Sequence, residues 1–395
     1  MNRPAVADSV LIAAAAAMPL IAVLAPNGLA VLLAVAGALI ALFDSQARRL
    51  TGVPRSILVI FAALLALALA SCLWAPNPFE GLDGIARSAT AGLAGLAVLS
   101  QALRLDSVQT ERFKTALLGG FCIGLAIVLV EMVSRLMMQP RDSIFVRLFG
   151  EPAASDAFLN RPKTVLALLL PLALAIARRR IGPLAPAALA AGCAFAFVVG
   201  ESMAAAFALA AALGGAVAFR FVGPRAIAAI LVACVLAAPL ATKLPTLDSL
   251  AERRDLTVSI YHRAAIWQFV GERISDKPVF GWGMHASRTM PGGHDKIDGQ
   301  AEKIPLHPHN APLQIWLELG GVGAALMAAL LGFLAINCNG PPLRRTVLGA
   351  TLVTAVVIAS LSYGMWQGWW FATLWLLAAM AVAASPESLG RRSAS

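Results

Sequence analysis

The chain has 395 residues, of which 59% are hydrophobic and only 13% charged. About 230 apolar side chains must be kept from water, enough for ten to twelve membrane crossings of about 20 residues each, whereas a soluble domain would carry about 25% charge. This excludes an ordinary cytoplasmic enzyme, and the net charge of +10, from 31 Lys and Arg against 21 Asp and Glu, points first to basic residues gathered in short cytoplasmic loops and only second to nucleic acid, which is not expected as a partner.

Arg3 followed by the apolar run from Val10 to Leu24 imitates a secretory signal. Many spans follow it and no small-x-small cleavage site precedes Pro26-Asn27-Gly28, so it reads as a retained first helix. Apolar runs then recur at 9–25, 28–43, 56–73, 86–101, 113–138, 163–177, 183–199, 202–220, 224–242, 312–336, 345–362 and 367–384. The expected fold is an all-α polytopic membrane protein with about twelve transmembrane helices and a long, partly helical outer loop. Nine helices fall in 1–242, the loop domain in 243–311, and three helices with a cytoplasmic tail in 312–395.

The basic residues set the orientation. Arg3, Arg48, Arg49, Arg55, Arg104, Arg112, Lys114, Arg178, Arg179, Arg180, Arg220, Arg225, Arg344, Arg345, Arg391 and Arg392 all fall on one side of such a bundle, which places both termini on the cytoplasmic side. Gln139 to Pro162 and Lys243 to Ala311 then lie outside. The second carries nine Lys and Arg; long loops escape the charge rule, so its basicity asks for an anionic partner. The five cysteines sit in or beside apolar stretches without CxxC spacing and read as small buried apolar residues. Ala- and Gly-rich spans such as Ala204 to Ala218 point to close helix packing.

Chemistry is sought where polar residues interrupt this pattern. In 259–276, Ile260, Trp267, Val270 and Ile274 form one helical stripe with Arg263 in its middle. A helix of this kind is expected to lie along the membrane surface with its guanidinium turned inward, although a snorkelling arginine or a structural salt bridge fits the same residues. Asn310 before Ala311-Pro312 is a good N-cap, so His309 stands just outside the positive end of a helix, where the neutral imidazole required of a general base is favoured. A merely local hydrogen-bonding role fits equally. Asn310, Gln314 and Glu318 recur every four residues into the bilayer, where Glu318 needs a buried partner or a wet cavity. Glu131 and Arg135 can satisfy one another. Arg161 and Lys163, at the expected mouth of the sixth helix, could seat a phosphate. His285, His294, His307 and His309 of the long loop lack Cys, HExxH or a carboxylate cluster, which argues against a metal site, and no Walker or Rossmann fingerprint occurs.

The order Arg263-x3-Trp267, Pro278-x2-Gly281-x-Gly283 and His309-Asn310-x2-Leu313-Gln314-x3-Glu318-x-Gly320-x2-Gly323 resembles the signature of the O-antigen ligase/polymerase superfamily, most of all its ligases. The motifs cover about 60 residues, and the late outer loop and span count extend the likeness across the chain. The resemblance implies an inverting, metal-independent glycosyltransferase of the C type without a cofactor. It would move a glycan from an undecaprenyl-diphosphate carrier to an acceptor hydroxyl, in ligases a sugar of the lipid A core, with membrane lipids around it. His309 would be the general base and Arg263 a diphosphate binder, with Arg161, Asn310, Gln314 and Glu318 on the substrate side. Many relatives carry Ser-Arg-Gly where this chain has Ser202-Met203-Ala204, so one phosphate-binding arginine is missing and Arg161 is the expected substitute. The rival within the superfamily is a polymerase using the same donor. The rival outside it is a twelve-span transporter or flippase, which would usually place its long loop in the cytoplasmic middle and would not need His309 at the water boundary.

Overall fold

The computed structural model describes residues 3–138, 140–150, 156–200, 203–244, 249–250, 258–297 and 301–385. Within them the chain is almost wholly helical. The apolar helices are α1 (Arg3–Leu24), α2 (Gly28–Phe43), α3 (Arg55–Ser71), α4 (Pro78–Ala102), α5 (Ser107–Met137), α6 (Asp156–Arg180), α7 (Ala185–Val199), α8 (Met203–Phe221) and α9 (Pro224–Leu236). The amphipathic α10 (Val258–Asp276) follows, then α11 (Ala311–Asn337), α12 (Pro342–Leu361) and α13 (Gly368–Ala384). Seven of these helices are long and apolar enough to cross a membrane, and five more, of 10–17 residues, are apolar but shorter. The protein is an all-α polytopic membrane protein, and among the described residues the β structure is a hairpin of two two-residue strands pairing Lys296 with Glu302 and Ile297 with Ala301.

Helix starts obey local chemistry. Asn77 caps α4 by accepting from Phe79 N and Glu80 N, with Pro78 in the first turn, and Asp106 caps α5 through Gln109 N at 2.8 Å. Close helix approach uses missing side chains. A Cβ on Gly37 of α2 would stand 2.6 Å from Ala94 Cα of α4, and one on Gly120 of α5 would collide with Ala16 O of α1. Packing of this kind suits a lipid environment, where apolar surface alone does not drive helices together. The α6 helix is central: 78% of its apolar window is buried, against 28–50% for the other six long spans.

Side-chain bonds sort into two ends, as an alternating bundle requires. At the basic end Arg104 pairs with Asp44, Gln101 with Asp8 and Arg180 with Glu111, while Arg345 donates to Arg220 O. At the opposite end Arg161 donates to Asn27, Lys163 to Gly200 O, Trp74 to Gly281 O and Trp316 to Val235 O. Glu131 and Arg135 do pair, at 2.7 Å, and Glu131 also accepts from Phe145 N. The five cysteines are free; Cys72, Cys193 and Cys338 are buried, Cys122 is half-buried and Cys234 is exposed.

Two local expectations change. The α6 helix begins at Asp156, not near residue 163, so Arg161 and Lys163 lie in its second turn and not at its N-terminus. The apolar face of α10 is covered by protein: Ile266, Phe269, Val270 and Ile274 pack on Met290, Ile304, Leu313 and Leu317. The fuller stripe includes Ile266 and Phe269 because the long loop and α11 supply a surface that the segment's own periodicity cannot reveal.

Candidate active site at the start of α11

Three pieces of chain converge on the first turns of α11: the loop 278–288, the strand-like approach 304–310, and the turn 362–367 between α12 and α13. Asn310 caps α11 through Leu313 N at 3.0 Å. His309, immediately before the cap, has φ +55, a left-handed conformation that is uncommon outside glycine though less so for His, Asn and Asp. Its Nδ1 lies 2.7 Å from the carbonyl oxygen of Ser362. A carbonyl only accepts, so Nδ1 carries the proton and Nε2 is left as the basic nitrogen. Burial holds the imidazole below its ordinary range; the Ser362 bond works against this, and the positive charge of Arg263 reinforces it.

Arg263 reaches this place because of the residue one turn later. Trp267 Nε1 donates to Pro308 O at 2.9 Å, which docks α10 along the segment carrying His309, and Arg263 lies on the same helical face. Among the described residues Arg263 makes no salt bridge, and burial lowers its affinity for its proton. The structure thus brings Arg263 and His309 together.

His307 was a candidate only for metal binding in the sequence. Its ring stands 4.3 Å from that of His309, edge to face. His307 Nδ1 accepts from His309 N at 3.2 Å, and its Nε2 lies 2.9 Å from the Gln367 side-chain amide. Burial, helped by His309 and Arg288, drives its pKa down to about 3. Arg288 carries no sequence signal beyond being one of the nine basic residues of the long loop. It is half-buried, close enough to His285 and His307 to repel their protonated forms, and forms no ion pair among the described residues. Its backbone is fixed by neighbours: Ser287 Oγ donates its one proton to Glu318 at 2.5 Å, with Leu306 O 3.2 Å away, and Arg288 O faces His294 Nε2 at 3.1 Å.

The remaining predicted residues occupy other positions. Glu318, wholly buried, accepts four hydrogen bonds: Ser287 Oγ at 2.5 Å and Gln314 Nε2 at 3.1 Å on one oxygen, Trp366 Nε1 at 2.7 Å and His285 N at 3.2 Å on the other. Gln314 Oε1 accepts from Met365 N at 2.8 Å. The polar ridge therefore ties loop 278–288 and turn 362–367 to α11. The motif glycines serve the same junction. Gly320 breaks α11 at φ +64, ψ −164, and Gly321 N and Val322 N donate to Pro278 O and Val279 O, while Trp282 N and Gly283 N donate to Leu317 O and Glu318 O. Arg161 lies over the Trp369 ring at 5.2 Å and donates to Asn27. It influences Tyr363, whose hydroxyl is 3.0 Å from Thr164 Oγ1 and which also feels Arg263. Lys163 is buried and donates to Gly200 O at 2.7 Å. Ser202 lies outside the described residues, as does the side chain of Met203, so the site of the missing arginine is not placed. Among the described residues no three His, Cys, Asp or Glu side chains are grouped to hold a metal.

The class defined here is a polytopic helical membrane protein that gathers, among its described residues, an imidazole with a free Nε2 and guanidinium groups without ion pairs at one end of its bundle. Sequence comparison narrows the class. Residues 164–328 match the family described as O-Antigen ligase, and over that segment the chain is O-antigen ligase-like. The "Putative polysaccharide ligase" of Rickettsia conorii is 34% identical over 136 residues, and its Rickettsia bellii counterpart 37% identical over 136, each match covering 33% of both chains. That of Rickettsia typhi is 32% identical over 160 residues, 38% of this chain and 40% of the relative. The alignments span about a third to two fifths of the relatives' length. The family segment holds Arg263, Arg288, His307, His309 and Glu318 but ends before the turn 362–367 whose Ser362 carbonyl accepts from the His309 ring.

Proposed function

We propose that the protein is a glycosyltransferase that moves a glycan from an undecaprenyl-diphosphate carrier to an acceptor hydroxyl, a sugar of the lipid A core, on the periplasmic face of the bacterial inner membrane. The observation that carries this reading is the Nδ1 bond of His309 to Ser362 O, which leaves Nε2 free beside an unpaired Arg263. The polysaccharide ligase relatives support the same class of chemistry.

In this mechanism His309 Nε2 takes the proton of the acceptor hydroxyl as its oxygen attacks the anomeric carbon in line with the departing diphosphate, inverting the configuration. Arg263 and Arg288 stabilise the charge that grows on the leaving diphosphate, with Arg161 a further cation at the rim in place of the arginine absent at Met203. Fixed guanidinium groups in a poorly hydrated cleft need no reorganisation during the step. A metal ion and a nucleotide are unnecessary, since the donor supplies its own activated bond. Asn310, Gln314 and Glu318 act on the substrate side by holding the loop and turn that border it. Basic residues gathered at the other end of the bundle favour both termini in the cytoplasm and this site outside.

The test is reconstitution. Purified protein in detergent is given a carrier-linked glycan with either lipid A core or a second carrier-linked glycan. Product on the core is the expected outcome; a longer carrier-linked chain would make the protein a polymerase, and no transfer to either would remove the enzymatic reading. His309→Ala should lower kcat by about 10²–10⁴, and activity lost in EDTA and restored by a divalent ion would overturn the metal-free mechanism.

A further inference from the structure

His309 performs no task unless its ring is aimed, and its backbone conformation is unfavourable. A non-glycine residue at φ +55 is strained and persists only where neighbours over-determine it. One tether is the Ser362 carbonyl on Nδ1. The other is His307, two residues earlier, whose Nδ1 accepts the backbone N–H of His309.

We propose that His307 is a positioning residue for the base: its Nδ1 is a permanent acceptor that holds His309 in the left-handed conformation and so presents Nε2 to the site. This deepens the function proposed above and rests on it.

The geometry supports the role in three ways. First, His307 is immobilised on every side. It is 7% exposed; with Nδ1 accepting, its Nε2 carries the proton and lies 2.9 Å from the end of the Gln367 side-chain amide, whose otherwise unpartnered oxygen is the group that can accept it; and a Cβ on Gly364 would come within 2.7 Å of its ring. Second, the edge-to-face contact with His309, at 4.3 Å and 62°, fixes the plane of the catalytic ring as well as its backbone. Third, the acceptor does not titrate away at neutral pH. Protonated His307 would lose its acceptor and place a second cation against His309, and burial keeps that form from appearing until about pH 3. Leu306 O, next to it, lies 3.2 Å from Ser287 Oγ, whose proton goes to Glu318 at 2.5 Å, so His307 borders the same junction that anchors the motif glycines.

The role makes a specific demand on substitutions. Asn carries an amide oxygen at about the place of imidazole Nδ1 and can still accept from His309 N, whereas Leu fills the volume without an acceptor. In the reconstituted transfer assay, His307→Leu should lower kcat by about 10²-fold, the cost of a base displaced by about 1 Å, with the KM for the carrier-linked donor changed by less than about twofold. His307→Asn should recover at least about tenfold of that loss. Folding is followed separately by the thermal midpoint in detergent, so that a misfolded Leu variant is recognised and replaced by His307→Gln, whose oxygen reaches towards the Nε2 position and is also expected to fail. Equal activity of the Asn and Leu variants, both folded, or a loss expressed wholly in KM, would overturn the positioning role. His309→Ala separates the two claims. An active His309→Ala protein defeats the base assignment itself, while an inactive one alongside a fully active His307→Leu protein defeats only the positioning.

Discussion

Glu318→Gln distinguishes a structural lock from a ligand contact. The carboxylate satisfies four buried donors, two on each oxygen. An amide keeps one accepting oxygen and turns an NH2 group towards the other two donors. If the NH2 faces Ser287 and Gln314, the serine hydroxyl can rotate to accept, but the Gln314 amide cannot, because its oxygen is held by Met365 N. If it faces Trp366 and His285, both N–H groups lose their acceptor. One or two stranded buried donors at about 1–3 kcal/mol each put the loss at about 2–4 kcal/mol, and Glu318→Ala, which strands all four and adds a cavity, should lose more. The thermal midpoint in detergent, read by tryptophan fluorescence, is expected to fall in the order wild type, Gln, Ala. Transfer assays on the surviving folded protein should give a lower kcat with donor KM little changed, because loop and turn loosen around His309. A Glu318→Gln protein with the wild-type midpoint and a raised KM would refute the lock and return Glu318 to direct substrate contact.

Gly320→Ala should be severely destabilising, since φ +64 with ψ −164 is open to glycine alone and the new Cβ would collide with Val279 O; a folded Ala variant with unchanged midpoint would deny the helix break. Acidification should weaken the fold below pH 6.5. With His307 held near 3 in the folded state and about 6.5 when unfolded, the unfolded chain binds more protons throughout that window. Stability falls by up to about 1.4 kcal/mol per pH unit, or about 2 kcal/mol between pH 6.5 and 5. His307→Asn should show that much less pH dependence, and identical pH profiles for the two proteins would mean that the ring is hydrated. Arg161→Ala removes the cation over Trp369 and the bond to Asn27. It should raise the donor KM while leaving kcat nearly intact, and wild-type kinetics would exclude Arg161 from the donor site.

Much of this architecture is legible in the sequence, and the failures have physical causes. Apolar runs locate the twelve apolar helices of the described residues, seven of them long enough to cross a membrane, because membrane helices must be apolar over most of their length. Their ends drift where polar first turns extend beyond the apolar run. The α4 helix starts at Pro78, before Glu80, Asp83 and Arg87, and α6 starts at Asp156, before Arg161. The pair Arg263 and His309 is legible through the motif, and Trp267 earns its place in that motif by bonding Pro308 O. Ser362 leaves no trace in the sequence, because it acts through a backbone carbonyl 53 residues away. Ser287 and Trp366 are equally silent, since a carboxylate at 318 announces that it needs donors and not which ones.

The distribution of bonds then explains why so many motif positions are not reactive groups. A long helix beginning at the membrane rim cannot by itself fix the residue before its cap, because that residue lies beyond the helical hydrogen-bond ladder. Here the constraint is supplied sideways. Breaking α11 at Gly320 frees Gly321 N and Val322 N to bind Pro278 O and Val279 O. The same crossing brings Ser287 to Glu318, Glu318 to Trp366, and Trp366 to the turn whose Ser362 carbonyl holds the imidazole. Each link uses a neutral donor on a buried acceptor, so the chain of contacts stays intact without drawing Arg263 or Arg288 into an internal ion pair. A carboxylate placed against either guanidinium would strengthen the fold locally, yet it would also neutralise the charge proposed to receive a diphosphate. Glu318, the one buried acid of the junction, is satisfied by hydroxyl, indole and amide groups instead, which leaves the cations of the site available.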